Sequence, residues 1–156
     1  MIEADVLVES KNWKKILQNP RKQVANILKR FPSHYRFNYR KVYISVLLTN
    51  NNKIKSLNKK FRKKNKPTDI LSFPSYSKKN LAKNLKNKKF YLGDIAISHQ
   101  EFSKNNKNNY KNGFIKIFIH GFLHLLNFDH KSDKDFKRMN SIENKIFQNV
   151  KGKFEI

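Results

Sequence analysis

Cysteine is missing from the 156-residue chain, glycine and proline occur only four times each, and acidic residues are scarce. Without thiols the chain can build neither a disulfide framework nor a thiolate metal site, which fits a reducing, intracellular compartment. No apolar run approaches the roughly 20 residues of a membrane span. The N-terminus, Met-Ile-Glu-Ala-Asp-Val-Leu-Val-Glu-Ser, carries early acids and too short an apolar stretch for a signal peptide. The expectation is a soluble cytoplasmic protein folded as a single domain over residues 1–156. The shortage of acids is severe: 11 Asp+Glu oppose 35 Lys+Arg, for a net charge of +24. Such a field draws polyanions, nucleic acid first among them. The abundance of Lys, Asn, Ile and Phe is also what an AT-rich coding sequence produces, so charge alone weighs only slightly toward nucleic acid. An anionic membrane surface fits less well, because no strongly amphipathic basic helix stands out.

Hydrophobic spacing predicts the elements. Ile2, Ala4, Val6 and Val8 alternate with Glu3, Asp5 and Leu7, the period of a half-buried strand. Residues 13–17 and 23–31 read as helical around Pro20, and Pro32 closes the region. Residues 42–48 are apolar on both faces, as an interior strand requires. Asn51 or Asn52 is placed to cap a helix through Ile54, Leu57, Asn58 and Phe61. Residues 70–73 and 92–97 read as two further strands, with Gly93 allowing close backbone approach. Between them, the Lys/Asn-rich residues 77–89 read as a solvated loop. Ser98-His99-Gln100-Glu101 has capping-box spacing. A helix over about 110–126 is apolar around nearly its whole circumference and so buried, and Asp133 is placed to cap a final helix.

Three of the five histidines fall within eleven residues: His120, His124 and His130. Four residues apart on a helix, His120 and His124 project from one face, as in H-E-x-x-H zinc sites. Asn127 tolerates the left-handed conformation of a helix C-terminus, so the chain can turn there and return His130 to the same point. Packing alone is the ordinary reading of one histidine on an apolar helix. Two at this spacing on a buried helix are expensive to bury without partners. Three neutral imidazoles on a tetrahedral ion leave one position open, the mark of a catalytic rather than a structural site. The ion keeps its full charge, which suits an anionic substrate. A metalloprotease fits poorly, because Gly121 stands where its helix carries the glutamate base. His34 and His99 lack such context and read as ordinary surface or core residues.

The segment His120-Gly121-Phe122-Leu123-His124-Leu125-Leu126-Asn127-Phe128-Asp129-His130 resembles the signature of the bacterial YbeY family, metal-dependent endoribonucleases of ribosomal RNA maturation. That signature runs His-Gly-x-Leu-His-Leu-x-Gly-Tyr-Asp-His. Asn127 replaces Gly and Phe128 replaces Tyr. Asn58-Lys59-Lys60-Phe61-Arg62, then Pro67-Thr68-Asp69-Ile70-Leu71-Ser72-Phe73-Pro74, is similar to the family's central motif. Leu92-Gly93-Asp94-Ile95 resembles its next strand, and Met139 and Glu143 stand where the family has Met and Glu.

The resemblance implies an α+β, zincin-like fold: a mixed four-stranded sheet with helices mainly on one face and a central buried helix bearing two ligand histidines. It implies one zinc ion on His120, His124 and His130, a donor set that other divalent transition metals also accept, and Arg62 as the catalytic residue in the cleft, where a guanidinium can clamp a phosphodiester. The implied activity is a zinc-dependent endoribonuclease acting on single-stranded RNA, at the 3′ end of the small-subunit rRNA precursor, with small-subunit proteins as neighbours. The alternative is a non-catalytic, metal-stabilised RNA-binding assembly factor. Metal-bound histidines usually donate their second N–H to a carboxylate or carbonyl, which makes Asp69, Asp94 and Asp129 candidates to orient the ligands. Lys63, Lys64 and Lys66, beside Arg62, are candidates to track an RNA backbone.

Overall fold

The computed structural model describes residues 1–152; the last four residues of the expected domain, 153–156, lie outside the described residues. The chain runs β1 (Ile2–Val8), α1 (Trp13–Ile16), α2 (Pro20–Lys29), α3 (Ser33–Arg36), β2 (Lys41–Thr49), α4 (Asn51–Arg62) and β3 (Ile70–Pro74). It continues α5 (Lys78–Asn84), β4 (Lys89–Ser98), α6 (His99–Asn105), α7 (Tyr110–Leu125) and α8 (Asp133–Lys151). The sheet order is β1-β2-β4-β3. β1, β2 and β4 are mutually parallel and β3 pairs antiparallel with β4 at the edge. The doubly apolar β2 is therefore interior, as its pattern required.

One sheet face carries the main core. Val42, Ile44, Val46 and Leu48 of β2 and Ile95 and Ile97 of β4 pack with Val24 and Ile27 of α2, Ile146 and Val150 of α8, and nearly every side of α7. The opposite face is covered locally by α4, through a small cluster of Ile54, Leu71 and Ala96. The class, the mixed sheet and the predominance of helices on one face agree with the expectation.

Several boundaries differ for local reasons. Asn50, not Asn51 or Asn52, caps α4 by accepting from the Lys53 N–H. Ser132, not Asp133, caps α8 in the same way. Ser98 precedes α6 but forms no capping box: its hydroxyl donates to Asn51 Oδ1 at 2.6 Å, and Glu101 accepts from Asn51 Nδ2 at 3.0 Å. Residues 77–89 are not a solvated loop. Ser77 caps α5, Leu81 is buried and Leu85 is half-buried against the core, and β4 already begins at Lys89. Two leucines four apart give one apolar stripe, enough for a short helix in a Lys/Asn-rich stretch.

Candidate metal centre and adjoining cleft

α7 reaches the sheet through two glycines. A Cβ on Gly93, at φ +144°, would lie 2.3 Å from the Phe73 carbonyl oxygen and 2.9 Å from Leu125 Cδ2. The bare backbone there lets the last turn of α7 settle onto the β3–β4 edge. A Cβ on Gly121 would lie 2.6 Å from Ile70 Cδ1, 3.2 Å from Ser72 Oγ and 3.3 Å from Ile95 Cγ2. The position that a metalloprotease gives to glutamate is thus pressed against the sheet. Ser72 Oγ donates to the Gly121 carbonyl at 3.0 Å and locks β3 to α7 at that point.

α7 ends in a Schellman turn. The Asn127 N–H donates to His124 O at 2.9 Å and the Phe128 N–H to Leu123 O at 3.1 Å. Asn127 is left-handed, at φ 63°, and its side-chain amide donates to Tyr76 O at 2.9 Å. The turn brings His130 back onto the helix. Its ring centroid lies 5.7 Å from that of His120 and 5.2 Å from that of His124. One ligand atom from each of the three histidines lies within 4.8 Å of the others.

The chemistry of these donors fits a cation. His120 Nδ1 donates to Glu143 Oε1 at 2.6 Å, because a carboxylate can only accept. That leaves the His120 Nε2 lone pair facing His124 Nε2 at 3.1 Å. At this separation two facing lone pairs repel, so the nitrogens need a positive charge between them, a shared proton or a metal ion. Nitrogens bound to a tetrahedral zinc at about 2.0–2.1 Å stand about 3.3–3.4 Å apart. Burial, with the neighbouring charges of His120 and His130, holds His124 below the ordinary imidazole pKa and so in the neutral form that binds metal.

The cluster opens into a cleft of about 610 Å3 shared with Arg62, Lys64, Asp69 and Lys131. Arg62, at the end of α4, is held in place: Nη2 donates to Ser72 O at 2.7 Å, and its Cζ lies 5.6 Å from the Phe73 ring centroid. A guanidinium has five N–H donors, so the anchored group keeps capacity for an anion. Lys64 also lines a neighbouring pocket with Lys66. Lys63 is the exposed, left-handed C-cap of α4. Lys131, which charge patterning near Arg62 did not single out, joins the cleft from the far side.

The three aspartates expected beside the ligands are dispersed. Asp69 lies in the cleft, but Oδ1 accepts from Ile70 N at 2.8 Å and Thr68 Oγ1 at 3.3 Å, shaping its own loop. Asp129 accepts from the His130 backbone N–H at 2.8 Å, which holds its carboxyl below the usual range. Asp94 is on the other face of the sheet, bonded to the Tyr91 hydroxyl at 2.5 Å. The cause is a bulge: Tyr43 pairs with Tyr91 but Ile44 with Gly93, so Leu92 is an extra residue that reverses the alternation of β4. The carboxylate that does meet one of the three histidines is Glu143. Local spacing gives no sign of it, because the contact spans 23 residues between two helices.

Comparison with known proteins identifies the family. Residues 7–151 match the family described as Endoribonuclease YbeY. A protein of that name from Pelagibacter ubique is 46% identical, over 98% of this chain and 99% of its own. Another from Ehrlichia canis is 35% identical, over 96% and 93%. The solution structure of TM1509 from Thermotoga maritima superposes with a TM-score of 0.56 at 26% identity, covering 99% of this chain and 91% of that one. With its three-histidine cluster, its Arg62 cleft and a match along almost its whole length, the chain belongs to the YbeY endoribonuclease family.

Proposed function

We propose that the protein is a zinc-dependent endoribonuclease that cuts single-stranded RNA during ribosomal RNA maturation, at the 3′ end of the small-subunit precursor. The observation that carries the reading is the convergence of His120, His124 and His130 in one cleft with the anchored guanidinium of Arg62. The reading takes residues 1–156 as one domain working in the cytoplasm, with precursor RNA as substrate and small-subunit proteins nearby. Among the described residues no helix is long and apolar enough to cross a membrane.

His120, His124 and His130 would hold the ion, and Glu143 and the His124 contact to the Phe128 backbone would fix the ring orientations. When bound, zinc supplies Lewis acidity toward a phosphate oxygen or a water. Arg62 binds the scissile phosphate and neutralises charge that builds on it during transfer. Lys64 and Lys131 flank the same cleft and hold the adjoining backbone.

Purified protein is expected to cleave single-stranded RNA, to lose cleavage on chelation and to regain it with added zinc. Arg62→Ala is expected to lose cleavage while still binding RNA. Full activity in metal-depleted protein rejects the reading. A fully metallated wild type that binds RNA without cutting it marks an assembly factor instead.

A further inference from the structure

A second groove, of about 770 Å3, lies between the 33–40 segment and α5. Four aromatic rings line it, from Tyr35, Phe37, Tyr39 and Phe128, over apolar ground supplied by Leu81 and Leu85. Phe128 lines both this groove and the histidine cleft, so the two adjoin at that ring. The Arg138 guanidinium carbon lies 5.6 Å from the Phe128 ring centroid, and its charge also acts on Tyr35. Tyr39 is 99% exposed and so has no packing role in the fold. Phe37, at φ 50°, occupies a left-handed conformation that a bulky residue rarely adopts. Arg40 lies in the lining, and the flanking segments, residues 33–40 and 77–89, hold two arginines, six lysines and no acid.

We infer that this groove is the base-binding subsite for unpaired nucleotides next to the scissile phosphate of single-stranded RNA. The inference rests on the endoribonuclease reading above. Flat rings flanked by basic segments match what a single strand offers, a π-face on every base and a charge on every phosphate. A duplex hides its base faces in the stack, so the groove selects unpaired RNA. The shared ring of Phe128 sets the occupied nucleotides beside the cut rather than at a remote site.

The test is the affinity of the zinc-loaded full chain for a labelled single-stranded oligouridylate with a 2′-O-methyl phosphorothioate backbone, chosen to resist cleavage. Tyr39→Ala is expected to weaken binding about ten-fold, the loss of one stacked base. The dependence on salt is expected to stay the same, because no phosphate contact is removed. Tyr39→Phe keeps the ring and is expected to bind like wild type. An oligonucleotide lacking bases is expected not to distinguish the three proteins. Circular dichroism confirms folding, which this exposed position leaves intact. Unchanged affinity in Tyr39→Ala, the result for a groove that docks a protein segment, overturns the inference while cleavage by wild type keeps the enzyme reading. Failure of the wild type to bind or cut RNA removes both.

Discussion

Glu143 shows how one side chain sets the chemistry of another. Its carboxylate takes the Nδ1 proton of His120 at 2.6 Å and so presents Nε2 to the cluster. Glu143→Gln keeps the shape but removes the charge and the obligate acceptor. Zinc affinity is expected to fall about 10–100-fold, read by competition with a chelating dye, while thermal stability of the apo protein changes little. Wild-type affinity in this variant contradicts the assigned tautomer. The convergence of the three histidines was legible in the sequence, because an i,i+4 pair and a turn-forming Asn127 are local signals. The role of Glu143 was not: the family resemblance marks its position, but its partner appears only once α8 packs on α7. Asp94 was a candidate by residue type alone, and type does not tell which face of the sheet a side chain takes.

At the level of elements, the site depends on how closely α7 lies on the β3–β4 edge. Gly93 makes that approach possible, as its place in the sequence suggested. Gly93→Ala would set a Cβ 2.3 Å from the Phe73 carbonyl in a conformation closed to L side chains. Strain and overpacking together are expected to cost about 2–4 kcal/mol, measured by denaturant unfolding, with zinc binding weakened as the last turn of α7 lifts. A loss below about 0.5 kcal/mol, the scale of an ordinary surface substitution, contradicts the packing argument. The long elements were legible because their apolar periods are strong, in β2 and α7 above all. α5 was not, because its apolar stripe is Leu81 and Leu85 alone and Lys and Asn dominate its composition. Caps moved by one residue wherever two adjacent polar residues offered the same bond, as at Asn50–Asn51 and Ser132–Asp133.

Across the whole molecule, a net charge of +24 gives long-range attraction to RNA. Affinity for single strands is therefore expected to fall steeply with salt, and Lys64→Ala to reduce the slope of log affinity against log salt by about 0.7. An unchanged slope takes Lys64 out of the RNA path. Stability has its own pH dependence through buried His99, whose pKa burial holds below the ordinary value. The unfolded chain then takes up the proton first, so this contribution is complete above about pH 6.5 and declines as pH falls toward the folded-state value. His99→Gln is expected to flatten the drop in melting temperature between about pH 7 and 5.5; an unaltered pH profile contradicts the assignment. Fold class was readable from the strong apolar periods, and the histidine cluster because its motif sits on the central helix. The aromatic groove was not, because Tyr35, Phe37 and Tyr39 meet Phe128 only in the folded chain. The most direct test of the account is X-ray absorption at the zinc edge of the purified protein. It predicts one ion per chain with three imidazole nitrogens at about 2.0–2.1 Å, falling to two in His130→Ala; a wild-type spectrum with fewer than three imidazoles would contradict it.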